Sequence, residues 1–432
     1  MDTDFLLLNA RIWTGNPLQP WADALAAANG RITAVGATAE LKQLAQQHTT
    51  VIDAQGRLTL PGFIDNHTHF ITGGFHLLNG NLRDTHSTQE TDSRGAIKPS
   101  EDGSAAALSA AMKHAASLGI TSIQDISSWD DWAVYRRFWE NGWLTLRIYA
   151  RTPIPAWEQQ VDMRLEHGSG DEWLKLGGVK GLVDGALSSG TALMHEPFDD
   201  EPGNSGLLFE QMFPEGIMKQ RATMAAQAGL PVSIHAIGDR ANTILLNMYE
   251  EMLSASVSSP RALRIEHAQH LLPADIARIG LWGFTVSMQP VHLLDDGSLA
   301  QRRIGAKRAQ TTFACRSLLD AGAKVTFGTD WPLAPLNPLL GIYAAVTRTP
   351  AGGKGPWIPE QAITVEEAVR AYTVQNAYAE FADHVKGTLE PGKLADLIVL
   401  SQDIFLVEAE AIPHTKVLYT VLNGKILYTD SL

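Results

Sequence analysis

Two histidines one residue apart, His67 and His69, close the apolar stretch GFIDNHTHF at residues 62–70. On a β-strand, positions i and i+2 point to the same face, so the two imidazoles would share one side and could hold one metal ion. The pair alone does not establish this: with 14 histidines in 432 residues, an H-x-H arises by chance about half the time. Other groups of similar capability end other apolar runs: His235 in LPVSIH, His267 in LRIEH and Asp330 in AKVTFGTD. Lys180 lies inside VKGLVD, beside Val179, Leu182 and Val183. Burying a lysine is costly unless it is paired or neutralised, and a neutral amine can be modified or act as a base. Each residue also has a plainer reading. His235 and His267 could be hydrogen-bonded core histidines, Asp330 could cap the turn before Pro332, and Lys180 could point outward at a helix.

What would unite these residues is the set of elements that carries them. Strand-like runs occur at 62–69, 119–126, 144–150, 177–184, 230–235, 263–267, 283–289 and 323–330. Helical patterns fall at 104–118, 130–140, 157–167, 215–228, 241–253, 273–279, 312–321 and 364–377. Strands alternating with helices favour an α/β fold of the (β/α)8 TIM-barrel type over a doubly wound sheet. No G-x-G-x-x-G follows a strand, which argues against a dinucleotide-binding sheet. In such a barrel the C-terminal strand ends converge. His67, His69, Lys180, His235, His267 and Asp330 would then face one pocket, and this shared location is stronger evidence than any single motif. Asp184, Gln289, His292 and Trp331 are candidate pocket-lining, substrate-binding residues, with packing or orientation of neighbours as the alternative. His270 is expected outside the ligand set.

The two ends of the chain differ from its middle. Residues 1–60 read as short alternating strands with an Asn29-Gly30 hairpin signal, and the last 40 or so repeat the style around Asn423-Gly424. Residues 1–60 and 386–432 are therefore expected to form one small composite β-sandwich domain, with residues 61–385 as the barrel domain. Substrate specificity is expected in the βα loops at 185–213, 290–310 and 331–361. Among these, Arg302, Arg303, Lys307 and Arg308 fit a solvated face better than an anion clamp. The polar stretch 85–104 reads as a solvated connection.

Composition narrows the function. The chain is 45% apolar and 19% charged, as in ordinary globular proteins, with a net charge of −13 and no basic run. That argues against nucleic acid and anionic membranes as partners. No run is long enough to span a bilayer, and the N-terminal apolar run is too short for a signal peptide. The single cysteine, Cys315, excludes an intrachain disulfide or cysteine-cluster site, fits a reducing cytoplasm, and reads as a small packing residue in a helix.

The segments PGFIDNHTHF, GITSIQDI, VKGLVDGALSSGTA, SIHAIGDRA, RIEHAQ, SMQPVHL, RSLLDAGAKVTFGTDWPL, ITVEEAVRAYTVQNAYAEF and GTLEPGKLADLIVL together resemble the amidohydrolase superfamily. Within it they are similar to the YtcJ-like branch that includes N-substituted formamide deformylases. The resemblance spans nearly the whole chain. It implies a barrel hydrolase in which His67, His69, His235 and His267 are metal ligands. Lys180, once carboxylated by CO2, would bridge two divalent ions, and Asp330 would be both ligand and general base. Zn²⁺ suits such donors, and Mn²⁺, Fe²⁺ or Co²⁺ could replace it. The implied reaction is hydrolysis of a non-peptide C–N bond in a small amide-type substrate such as an N-formyl or N-acyl amine; a homodimer is compatible with it. Two alternatives stay open: a mononuclear deaminase on the same fold, and a catalytically silent binding protein. The second arises because relatives carry a long insertion after the first barrel strand, where this chain has only the short segment 82–106.

Overall fold

The structure, a computed structural model, describes residues 3–80, 101–353 and 355–430. At its centre eight parallel strands form one sheet, paired in chain order. They are β1 (Phe63–Thr68), β2 (Ile120–Ile126), β3 (Arg147–Pro153), β4 (Leu174–Leu182), β5 (Val232–Ala236), β6 (Leu263–His267), β7 (Thr285–Met288) and β8 (Lys324–Phe327). A parallel bridge between Thr68 and Trp331 brings the end of β1 against the segment after β8, so the sheet nearly closes on itself. Two backbone bonds support this seam: Asp330 N–H donates to the His67 carbonyl at 2.7 Å, and His69 N–H to the Trp331 carbonyl at 2.8 Å. The expected (β/α)8 barrel is thus observed, with all eight strands where the apolar runs put them. The largest shift is in β3, which runs later than 144–150.

Apolar side chains such as Ile123, Ile148, Val232 and Ile265 join the main core with residues of the surrounding helices. The barrel interior near the site is instead polar. Asn66 donates to Thr326 Oγ1 at 2.6 Å and accepts from Ser287 Oγ at 3.0 Å. Arg151 reaches from β3 to the carbonyls of Asn66 and Gln124, both at 3.0 Å, and to Ser233 Oγ at 3.2 Å. One guanidinium therefore ties its strand to β1, β2 and β5, which suits its rigid fork of donors.

The expected helices are present, with three corrections. Helix Phe70–Leu78 follows β1 directly, and the loops at 290–310 and 331–361 contain helices Leu293–Arg308 and Pro338–Thr347. The stretch 364–377 divides into Val365–Ala371 and Val374–Ala379. Most of the polar stretch 85–104 lies outside the described residues; its last four begin helix Glu101–Ser117. Cys315 is buried at the start of helix Cys315–Ala321, and burial pushes its thiol up to about 11, as befits an inert packing residue.

Both chain ends build two further sheets. One joins Phe5–Leu8, Ala24–Ala28, Arg31–Gly36 and Thr50–Asp53. The other places Leu397–Leu400 between Leu58–Pro61 and Val417–Leu422. Phe5, Leu7, Leu25 and Ile52 from the first pack with Ile12, Leu397, Val399 and Val421 from the second, giving a small sandwich with its own apolar core. Both Asn-Gly turns have positive φ at each residue, 52° and 75° at Asn29-Gly30 and 54° and 71° at Asn423-Gly424, the geometry of a two-residue hairpin. No helix among the described residues is long and apolar enough to cross a membrane.

Candidate metal centre and active site

The seam between β1 and β8 decides the position of the most compact cluster. One ring nitrogen each of His67 and His69 and a carboxylate oxygen of Asp330 all lie within 4.8 Å of one another. His67 Nε2 is 3.4 Å and His69 Nε2 3.5 Å from Asp330 Oδ1. That oxygen is buried and has no hydrogen-bond partner among the described residues. Ligands bound at about 2.0–2.2 Å from one ion stand roughly 3–4 Å apart. An orphaned carboxylate oxygen facing two imidazoles at that spacing is a donor set that fits a divalent cation.

Backbone conformation delivers these groups. Asp330 has φ of 62°, and His267 and Ala268 have φ of 70° and 44°. Non-glycine residues seldom adopt this region, and here such residues sit at the C-terminal ends of β6 and the β8 segment. Asp65, under the cluster, accepts from His67 N–H at 3.1 Å, Thr329 N–H at 3.0 Å and Thr329 Oγ1 at 2.6 Å. Burial pushes its carboxyl up to about 7 against these bonds. Gly328 permits the approach: a Cβ there would lie 2.6 Å from His67 N and 2.5 Å from Asn66 Oδ1. Gly328→Ala should destabilise the metal-free protein by about 1–3 kcal/mol and weaken zinc binding. An unchanged denaturation midpoint would contradict this close packing.

The remaining candidate ligands surround the cluster. The His267 ring is 4.7 Å from that of His67 and 4.4 Å from that of His235, centroid to centroid. His235 Nε2 is 3.0 Å from the Gly185 carbonyl. Lys180 is 4% exposed, and its side chain makes no hydrogen bond or ion pair to another described residue. Burial lowers its pKa to about 7, opposed by Glu266 and reinforced by Arg151. Burial and the nearby Lys180 charge bring His67 down to about 3, and burial with His235 and His67 keeps His267 well below its ordinary value. Both shifts favour the neutral imidazole, the form that binds metals. For Asp330, burial alone would raise the pKa; His67, His292, His69 and His267 outweigh it and hold the carboxylate ionised.

The four candidate pocket-lining residues have different surroundings. His292 Nε2 is 3.4 Å from Asp330 Oδ2, and this carboxylate raises the His292 pKa against the effect of burial. Gln289 is buried and donates to Ser287 Oγ at 3.2 Å. Trp331 is buried against Phe70, with ring centroids 5.5 Å apart, and lies over Gly73 of helix Phe70–Leu78. Asp184 is fully buried and accepts the backbone N–H groups of Leu193, Ile237 and Gly238 at 2.8–3.0 Å, so it anchors the loops behind His235. His270 bonds Thr312 Oγ1 at 2.8 Å, away from the cluster. Arg303 and Arg308 fasten helix Leu293–Arg308 to the loop at 199–201 through Asp199, Asp200 and Glu201.

Glu266, Arg151 and Arg264 were not among the sequence-based candidates. Glu266 is 0% exposed, and His67 Nδ1 lies 2.6 Å from its Oε2. Arg151 donates to Oε1, and Arg264 Nε lies 2.7 Å from the same oxygen. Burial opposes ionisation of Glu266, yet the two guanidinium groups and His67 hold its pKa well below the usual carboxylate range. A signal was available: Arg264 and Glu266 alternate with apolar Leu263 and Ile265 in a strand expected to be buried on both faces.

Comparison with known proteins agrees with this architecture. The amidohydrolase family profile matches residues 50–92 and 76–428, two pieces that overlap at 76–92, into the start of the short 82–106 segment. Protein LONG AFTER FAR-RED 3 of Arabidopsis thaliana is 32% identical over 541 aligned positions, covering 98% of this chain and 91% of that protein. Since 541 positions exceed the 432 residues here, the plant protein carries segments without a counterpart in this chain. The N-substituted formamide deformylase of Arthrobacter pascens is 30% identical over 208 residues, which are 48% of this chain and 38% of that protein. Among solved structures, an uncharacterized metal-dependent hydrolase from Pyrococcus furiosus has a TM-score of 0.77 at 22% identity, covering 93% of this chain and 99% of its own. The barrel, the histidine–aspartate cluster and the near full-length match lead to one assignment: this chain belongs to the amidohydrolase family of metal-dependent hydrolases, in the branch of YtcJ and N-substituted formamide deformylase.

Proposed function

We propose that the protein hydrolyses a non-peptide C–N bond in a small amide, such as an N-formyl or N-acyl amine. The observation that carries this reading is the orphaned Asp330 Oδ1 facing His67 and His69. His67, His69, His235, His267, Asp330 and a carboxylated Lys180 would hold two divalent ions, with zinc the best match to imidazole and oxygen donors. Carboxylation would convert the isolated, buried Lys180 amine into an anion that offsets the charge of two cations. When bound, the metal supplies Lewis acidity, lowering the pKa of a water and polarising the substrate carbonyl.

The chain's own groups would do the rest. Asp330 would take the proton of the attacking water and deliver it to the nitrogen as the C–N bond breaks, leaving a carboxylate and an amine. His292, against Oδ2 of Asp330, would orient that carboxylate. The name of the formamide deformylase relative supports the choice of bond, and the placement of a buried lysine of lowered pKa beside this cluster supports a binuclear site.

The test is metal content per chain by elemental mass spectrometry, followed by a screen of N-formyl and N-acyl amines. Near two equivalents, with turnover, is the expected result. Near one equivalent with an unmodified Lys180 would favour a mononuclear deaminase; the compact three-residue cluster of His67, His69 and Asp330 would suffice for a single ion. No metal after reloading with zinc and bicarbonate would overturn the hydrolase reading. Two metals without turnover of any amide would favour a silent binding protein.

A further inference from the structure

We propose that Glu266 is a positioning residue that fixes the tautomer and direction of His67, with Arg151 and Arg264 as its fixed counterions. This rests on the metal-site reading above. A neutral imidazole has one N–H, and its other nitrogen is an acceptor. His67 Nδ1 is 2.6 Å from Glu266 Oε2, inside the range of a charge-assisted hydrogen bond to a carboxylate. Nδ1 must therefore carry the proton, since a lone pair there would face an anion.

Nε2 is then the bare nitrogen, and it is the atom 3.4 Å from Asp330 Oδ1. With Glu266 behind it, His67 presents a lone pair toward a carboxylate oxygen that itself lacks a donor. Two such lone pairs repel unless a cation lies between them, so the Glu266 contact makes this gap selective for a positive charge. A histidine held from behind by a carboxylate is also a stronger ligand than a free one.

Glu266 can play this part because it cannot move. It is 0% exposed, and the guanidinium groups that hold it are themselves tied to the barrel wall. Arg151 donates to the carbonyls of Asn66 and Gln124, and Arg264 donates to the Asn66 carbonyl at 2.6 Å. Asn66 immediately precedes His67, so the same arginines locate both the carboxylate and the backbone that carries its partner. Strands β1, β2, β3 and β6 thus set one imidazole in one orientation.

Two measurements test the proposal. The first uses the metal-free wild-type protein with ¹⁵N-labelled histidine at mildly alkaline pH and reads two-bond N–H correlations of the imidazoles. A proton on His67 Nδ1 and a bare Nε2 are expected; a proton on Nε2 in place of Nδ1 would overturn the proposal, and this measurement needs no variant to fold. The second measures zinc affinity by competition with a chromophoric chelator for the wild type and Glu266→Gln. Affinity should fall by about 10- to 100-fold while near-ultraviolet circular dichroism is retained. Equal affinity in a folded variant would overturn the proposal and leave the metal-site reading standing. A wild type that takes up no zinc would overturn both.

Discussion

Asp330→Asn should lower kcat on the best amide substrate by about 100- to 10,000-fold while the protein still folds and still binds metal. The substitution keeps the shape of the side chain and removes the charge that accepts a proton. Asparagine tolerates the left-handed backbone region, so the φ of 62° at this position is not a barrier to folding. The Asp330 N–H bond to the His67 carbonyl, which fixes the seam between β1 and β8, belongs to the backbone and is unaffected. The histidines remain to hold metal. The measurement is kcat together with metal content of the purified variant, and an unchanged rate would remove Asp330 from the role of general base.

Lys180→Met should separate stability from activity in opposite directions. In the metal-free protein, burial lowers the lysine pKa to about 7 from 10.5. The unfolded chain thus binds a proton more readily than the folded one between those values, so wild-type stability rises as pH increases through that window. At neutral pH and below, the lysine costs stability, and methionine, of similar length and apolar, removes that cost. The variant should be about 1–3 kcal/mol more stable than wild type near pH 7, with the difference shrinking toward pH 10.5. Its hydrolytic activity should fall by more than about 100-fold, the upper end of what losing a mere supporting group costs, and zinc with bicarbonate should not restore it. Chemical denaturation of chelator-treated protein at two pH values and a rate assay give both results. A variant that is less stable at pH 7 would show that the amine is better accommodated than its isolation implies, and a variant of full activity would exclude a bridging lysine.

Much of this arrangement is legible along the chain, for a local reason. Strands buried on both faces leave apolar runs, and the residues that end them mark the barrel mouth, so His67, His235, His267 and Asp330 all stand out against Val, Ile and Leu. The Asn-Gly turns are equally local, since only a few residues accept two successive positive φ values. Some helices escaped the same reading. Pro338–Thr347 is apolar on most sides, with Leu339, Ile342, Ala344 and Ala345 all buried, so it has no polar face to set a 3.6-residue period. Leu293–Arg308 is interrupted by Gly305 at φ of 72°, and Phe70–Leu78 carries two adjacent glycines, which weaken any helical signal.

What the order of residues could establish was therefore the number and sequence of strands, the hairpins at both ends, and which polar groups stand at strand ends. What it could not establish was which of those groups meet. The contact of His67 with Glu266 joins residues 199 positions apart, and that of Asn66 with Thr326 joins residues 260 apart. Such pairs exist only once the sheet curls and the β1–β8 seam closes. Pairing of neighbouring strands brings Asp184 to the backbone N–H groups after β5 and His292 to Asp330, and the curled sheet places Arg151 of β3 against a carboxylate that in the linear chain is simply one charged residue beside a histidine. Local pattern determines what a strand buries; the curvature of the whole barrel determines the partner each buried charge finds.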